Sequence, residues 1–150
     1  MAKKHPKSDP MAQAQARCAA HGETLTPLRA QVLALLLKQS GPAKAYDLLD
    51  ALKRGHASAK PPTIYRALDF LVRLGLAHRI ESLNAYVACA GDHDHAPAVF
   101  LICDTCHSAQ ELHAHAALDK LSSAAANIGF KVSRTMVEAT GQCAHCQEAA

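Results

Sequence analysis

The chain has 150 residues, 49% of them hydrophobic but only 4% aromatic, and a net charge of +3. That leaves room for one large domain or two small ones with real cores, and no apolar run is long enough to cross a membrane. Six cysteines, with no apolar signal-peptide core behind the Lys-rich start, point away from a disulfide framework and toward metal or redox chemistry in a cytoplasmic protein.

The charge is unevenly spread. Residues 1–80 carry 13 Lys and Arg against 5 Asp and Glu, a balance of +8, whereas residues 81–150 carry 3 against 8, a balance of −5. Every cysteine except Cys18 lies in the second part. A basic half suits a polyanion and an acidic, Cys- and His-rich half suits a cation, so two domains with two tasks are expected.

In chain order, residues 1–10 are polar and Lys-rich and are expected to form a flexible arm. An Ala-rich helix follows from Pro10 to His21, with Cys18 as a buried, inert thiol. Thr26-Pro27 opens a second helix, Thr as N-cap and Pro at its first position. Leu28, Val32, Leu35 and Leu36 form its core face, and Ser40-Gly41-Pro42 ends it. Ala45 to Arg54 is a third helix, with Ala45, Leu48, Leu49 and Leu52 inward.

Lys60 to Gly75 is the most informative stretch. Ile64, Ala67, Leu68, Leu71 and Leu74 recur at spacings of three and four and form one buried stripe. Pro62 is expected at the first helical position and Gly75 at a left-handed cap. Thr63, Tyr65 and Arg66 are left off the stripe at the leading end. Together with free backbone N–H groups there, they suit phosphate and base edges. The plain alternative is a surface helix with a solvated charged face. Two β-prone runs, Ala77–Ile80 and Ala85–Ala88, flank Ser82-Leu83-Asn84 and read as a hairpin. Three helices, a fourth with a polar leading end and a hairpin are the order of a winged helix-turn-helix, whose last helix enters the major groove. Residues 11–90 are therefore expected to form a DNA-binding domain.

Residues 91–97 read as a hinge, and residues 98–150 as a second, α/β domain; the fold class is α+β. A strand over Ala98–Ile102, a turn at Cys103-Asp104-Thr105-Cys106 and a return strand over Ala109–His113 come first. A helix over Ala116–Ile128 follows, with Leu118, Leu121, Ala125 and Ile128 inward. A last strand over Phe130–Thr140 breaks its alternation at Met136-Val137, which suggests a bulge.

Cys103-x-x-Cys106 and Cys143-x-x-Cys146 carry the clearest chemistry. Four thiolates in two matched pairs suit tetrahedral zinc and leave no open position, so the site is expected to be structural, clipping the C-terminal end to the first hairpin of the domain. A second set, His78, Cys89, His93, His95 and Glu111, surrounds the hinge. Its residue types suit zinc, and a metal held by all of them would join the two domains. Each also has a plain structural role: His78 as a phosphate contact, Cys89 as a small buried residue, Glu111 as a solvated strand charge. His113 and His115 read as surface residues, and His107 and His145 as exposed or supporting neighbours of the thiolates.

At this point the chain resembles the ferric uptake regulator family, on its zinc uptake regulator branch. The residues that carry the resemblance are Leu25-Thr26-Pro27-Leu28-Arg29, Ala45-Tyr46-Asp47-Leu48-Leu49, the run from Lys60-Pro61-Pro62-Thr63-Ile64-Tyr65-Arg66 through Ala67-Leu68-Asp69-Phe70-Leu71, and the two Cys-x-x-Cys pairs. The match runs from about Arg17 to Cys146. It implies a homodimeric, metal-dependent repressor whose winged helix reads an AT-rich palindromic operator in double-stranded DNA and whose second domain dimerises. It places a structural zinc on Cys103, Cys106, Cys143 and Cys146, and a regulatory zinc on His78, Cys89, His95 and Glu111, with His93 able to replace or join His95. Two zinc ions per chain follow. DNA contacts are expected from Tyr46, Lys60, Thr63, Tyr65 and Arg66. A thiolate at Cys89 favours zinc over iron or manganese. Two other functions fit parts of the pattern: an iron-, manganese- or peroxide-responsive regulator on the same fold, and a zinc hydrolase, which would need an open coordination position.

Overall fold

The computed structural model describes residues 9–89 and 98–150. The hinge at 91–97 and residues 1–8 of the arm lie outside the described residues, as do His93 and His95. The described chain divides into two compact units, and the division is not a single cut. Residues 80–83 belong with the second unit, and the rest of the hairpin with the first.

The first unit opens with α1 (Pro10–Ala20), capped by Asp9, whose carboxylate accepts the Met11 N–H at 3.1 Å. Cys18 is 1% exposed within it. Helix α2 (Pro27–Lys38) starts on the Thr26 cap with Pro27 at its first position, as predicted. Its buried face is Val32, Leu33 and Leu36, with Leu28 and Leu35 partly buried, so Leu33 joins the expected set. Helix α3 (Ala45–Leu52) buries Ala45, Leu48, Leu49 and Leu52 and ends two residues earlier than expected.

Helix α4 (Pro61–Arg73) packs on both α2 and α3. Ile64, Ala67, Leu68, Leu71 and Leu74 are all buried, and Gly75 takes φ +68° at the cap. The helix starts one residue earlier than predicted: Lys60 is the N-cap, so Pro61 is first and Pro62 second. Phe70 is also buried, at 3% exposed, which the stripe omitted. Arg29 lies 3.6 Å above the Phe70 ring and Arg73 5.4 Å from it. Arg29 donates to Thr24 O at 2.8 Å and Arg73 pairs with Glu23 at 2.8 Å. The loop before α2 is thereby tied to α4 through cations stacked on one aromatic ring. Arg17 adds to the same end by donating to Gly75 O, just after α4, at 2.9 Å.

Strands β1 (Ala77–Ile80) and β2 (Ala85–Ala88) form the expected hairpin around a 3-10 turn, Glu81–Leu83. Asn84 follows the turn at φ 46°, a left-handed position that Asn tolerates well. Tyr86 and Ala43 exchange two backbone hydrogen bonds of 2.8 Å, so the α2–α3 connection pairs with the hairpin.

The second unit is a three-stranded sheet of order β4-β3-β5 with one long helix. Strands β3 (Ala98–Cys103) and β4 (Ala109–Leu112) are antiparallel; β5 (Met136–Gly141) runs parallel to β3, with Ala98 opposite Met136 and Cys103 opposite Gly141. Helix α5 (His115–Asn127) makes the crossover that a parallel pair requires. A short helix, α6 (Ala144–Glu148), closes the chain.

Three expectations change here. The last strand begins at Met136 instead of Phe130: among the described residues, those from 130 to 135 have no strand partner. The irregularity at Met136-Val137 is the strand's start, not a bulge, since the pairing with β3 runs in unbroken register. The apolar face of α5 buries only Leu118, while Leu121 is 47% and Ile128 82% exposed. With Leu101, Leu112 and Phe130 also exposed, this unit leaves apolar surface that its own sheet does not cover.

Leu68 is 0% exposed in α4, the helix that packs on α2 and α3. Leu68→Ala should lower stability by about 2–5 kcal/mol through lost burial and a residual cavity. Tyr65→Ala, on the exposed face, should change it by less than about 0.5 kcal/mol. Urea unfolding followed by far-UV circular dichroism checks both, and equal midpoints would contradict this placement of the core.

Candidate metal centre and nucleic-acid interface

The sheet register builds the metal centre. Cys103 ends β3, opposite Gly141, so the segment after β5 is delivered beside the turn that follows β3. Asp104 donates its N–H to Gly141 O at 2.8 Å, and His107, at φ 57°, donates to Cys103 O at 2.9 Å. Those two bonds shape the first Cys-x-x-Cys turn. Cys143 then caps α6, which carries Cys146 back into the same space. The ligand atoms of Cys103, Cys106, Cys143 and Cys146 all lie within 4.8 Å of one another.

The spacing suits a metal. Sulfurs on a tetrahedron with bonds of ~2.3 Å are ~3.8 Å apart along each edge, and Cys106 Sγ lies 3.8 Å from Cys143 Sγ. The electrostatics agree. Hydrogen bonds from the backbone N–H groups of Cys143 and Cys106 hold the Cys103 thiol down at about 5, the first of them at 3.4 Å. Ser108, its hydroxyl 3.1 Å from Cys106 Sγ, holds that thiol below its ordinary value. Cys146 is pushed up to about 12, by its hydrogen bond with Cys143 and then by burial. One thiol is thus strongly biased to ionise while a close neighbour resists. Four crowded sulfurs can all become thiolates only if a cation offsets the charge. Among the described residues this is the group that could hold a metal ion.

The second set is placed only in part. His78 is half-buried on β1, and Cys89 is half-buried just after β2, its N–H donating to Leu76 O at 3.0 Å. Both lie in the first unit. Glu111 is half-buried on β4 of the second unit, opposite Phe100. His113 and His115 are exposed, their rings stacked with centroids 6.4 Å apart. His107 and His145 are exposed beside the cysteines.

The expected DNA-contacting side chains sit at the start of α3 and on the N-cap and first two turns of α4. Tyr46 on α3 is 66% exposed, and Tyr65 and Arg66 on α4 are exposed, as is Lys60 at its N-cap. Among the described residues Arg66 has no salt-bridge or hydrogen-bond partner. The predicted free backbone N–H groups are not there. Pro61 and Pro62 have none, and the Thr63 N–H is taken by Lys60 O at 2.9 Å. Thr63 Oγ1 in turn accepts the Lys60 N–H at 3.3 Å, leaving its own proton to donate. An anion at this end would therefore meet side chains. The sequence reading missed Ser108 at the metal centre and the Arg29–Phe70–Arg73 stack behind α4. Phe70 was within reach of the pattern, lying three residues after Ala67 and four before Leu74.

The chain is 44% identical over 140 residues to the zinc uptake regulation protein of Escherichia coli K12, spanning 92% of this chain and 81% of that protein. Among solved structures it resembles a zinc uptake regulator complexed with zinc and DNA, with a TM-score of 0.89, 41% identity and coverage of 97% and 98% of the two chains. It also resembles the holo form of a protein named XcZur, with a TM-score of 0.82, 42% identity and coverage of 93% and 97%. The family model of the ferric uptake regulators matches residues 20–140, and the chain belongs to the ferric uptake regulator family.

Proposed function

We propose that this chain is a zinc-responsive transcriptional repressor that binds operator DNA as a homodimer when zinc-loaded and controls zinc uptake genes from the cytoplasm. The observation that carries the reading is the likeness, over 92% of the chain, to a zinc uptake regulation protein. The operator is an AT-rich palindrome, read by α4 in the major groove, with Arg66 and Tyr65 at base edges and Tyr46, Lys60 and Thr63 on the backbone. The exposed Leu101, Leu112, Leu121, Ile128 and Phe130 support dimerisation, because a second copy would cover apolar surface that one copy leaves in water. No helix among the described residues is long and apolar enough to cross a membrane.

Two zinc ions per chain are assigned. Cys103, Cys106, Cys143 and Cys146 hold the structural one. Four protein ligands leave no open position there, which argues against a zinc hydrolase. His78, Cys89, Glu111 and His95, with His93 in reserve, hold the regulatory one. Bound there, zinc would supply a divalent charge shared by ligands from both domains. Each residue's part follows from its chemistry: His78 and His95 offer neutral nitrogens, Cys89 a soft thiolate that selects against iron and manganese, and Glu111 a carboxylate. If metal favours the DNA-competent arrangement, operator DNA must tighten metal binding by the same factor. Operator binding titrated against buffered free zinc tests the whole reading; affinity independent of zinc would refute it.

Cys103→Ser should lose one zinc per chain and weaken the dimer, since the sheet's clip is gone. Metal analysis with analytical ultracentrifugation checks it, and full zinc with an intact dimer would remove the structural assignment. Arg66→Ala should cost about 1–3 kcal/mol on operator but little on scrambled DNA. Lys60→Ala should weaken both and flatten the salt dependence by about one unit of slope. Mobility shifts at several salt concentrations separate the two. Cys89→Ser should keep the structural zinc, the fold and the dimer yet need more free zinc to bind operator, because a serine hydroxyl is a far poorer ligand at neutral pH. The wild-type response should fade below pH ~6 as the histidine ligands protonate. An unchanged zinc midpoint for Cys89→Ser would make Cys89 a packing residue.

A further inference from the structure

Glu138 lies on β5, and its carboxylate reaches the 3-10 turn at Glu81–Leu83. One oxygen accepts the Glu81 N–H at 2.6 Å and the other accepts the Ser82 N–H at 3.1 Å. These are charge-assisted bonds to two successive amides, each of which would otherwise need water. Burial pushes the Glu138 carboxyl up, but the bonds from Ser82 and Glu81 outweigh it and hold the group below the usual carboxylate range. Ile80, just before the turn, is 0% exposed. Residues 80–83 group with the sheet, while the rest of β1 and all of β2 belong to the helical unit.

We propose that Glu138 is a positioning residue for the β1–β2 hairpin that follows α4. By holding both amides of the β1–β2 turn on the sheet that ends in the four cysteines, it makes operator affinity depend on a residue that contacts no DNA. The inference rests on the functional reading above. It concerns a residue that is neither a metal ligand nor part of the exposed face of α4. A carboxylate that merely capped a turn would affect stability alone, whereas a positioning carboxylate moves operator affinity at constant fold, zinc content and dimerisation.

The test uses the full zinc-loaded dimer of the wild type, Glu138→Ala and Glu138→Gln. Glu138→Ala should bind operator about tenfold more weakly, in the range that coupling residues show, with unchanged zinc content and unchanged binding to scrambled DNA. Glu138→Gln keeps one acceptor for one of the two N–H groups and should fall between. Hydrogen exchange should find the Glu81 and Ser82 amides protected in the wild type and fast in Glu138→Ala. Operator affinity within twofold of wild type for Glu138→Ala overturns the proposal, as do amides that exchange fast in the wild type. If Glu138→Ala does not fold, Glu138→Gln and the wild-type exchange decide by the same criteria. A wild type whose operator binding ignores zinc would bring down the functional reading and this inference with it. A failure confined to the variants sinks only the inference.

Discussion

Four sulfur atoms within 4.8 Å of one another are the constraint on which the second unit depends. Among the described residues its buried apolar side chains are few: Ile80, Val99, Phe100, Ile102 and Leu118, with Cys103 and Cys146 beside them. A sheet of three short strands and one long helix does not exclude enough water to be stable with much margin. A metal held by the four cysteines would cross-link the end of β3 to the start of α6 across that sheet, and its binding energy would become folding energy. The same crowding explains the opposite behaviour of Cys103 and Cys146. Backbone N–H groups stabilise a thiolate at the first, while the hydrogen bond with Cys143 and then burial oppose one at the second.

The first unit holds itself differently. Its core is continuous from α1 through the hairpin, with Leu48, Leu52, Ile64, Leu68 and Leu71 each no more than 2% exposed. At about 25 cal/mol per Å² of apolar surface removed from water, side chains of this kind contribute roughly 1.5–3 kcal/mol each. Helix α4 is fixed there by burial on one face and by the Arg29–Phe70–Arg73 stack near its C-terminal end. Its leading end, with Tyr65 and Arg66, is left exposed. Rigidity behind and exposure in front are what a recognition helix requires, because side chains can only read base edges from a fixed backbone.

How much was legible follows from which signals were local. The stripe Ile64, Ala67, Leu68, Leu71, Leu74 and the Thr26-Pro27 start are written in adjacent residues, and both appear as read. Cys103 and Cys143 lie 40 residues apart, yet the matched spacing of their pairs foretold that they meet, which the parallel register of β3 and β5 achieves. Features set by tertiary partners were harder. The strand expected from Phe130 begins at Met136, because pairing needs a neighbour and among the described residues those before it have none. The face of α5 was read as inward from its periodicity, but periodicity reports an apolar side without saying whether the same chain covers it. Leu121 and Ile128 remain exposed for that reason. The Glu138 bonds to the hairpin turn join residues 56 and 57 apart and left no trace in the spacing of either segment.

The two prolines at the start of α4 bear on how such a helix would meet DNA. A helix N-terminus ordinarily offers unpaired N–H groups to a phosphate. Here Pro61 and Pro62 have no N–H, and the Thr63 N–H is already bonded to Lys60. The rigid proline pair still fixes the helix start, since both are locked near helical φ. What it removes is a sequence-blind anchor at the point closest to the bases. Affinity would then depend more on side chains, with Tyr65 and Arg66, proposed at the base edges, needing partners of defined position. Backbone donors would hold any duplex equally. A bidentate guanidinium at Arg66 gains its full value only against the right base edge. Removing main-chain donors from the helix start therefore shifts the balance from general attraction toward discrimination, which suits a regulator that must leave most of the genome unoccupied.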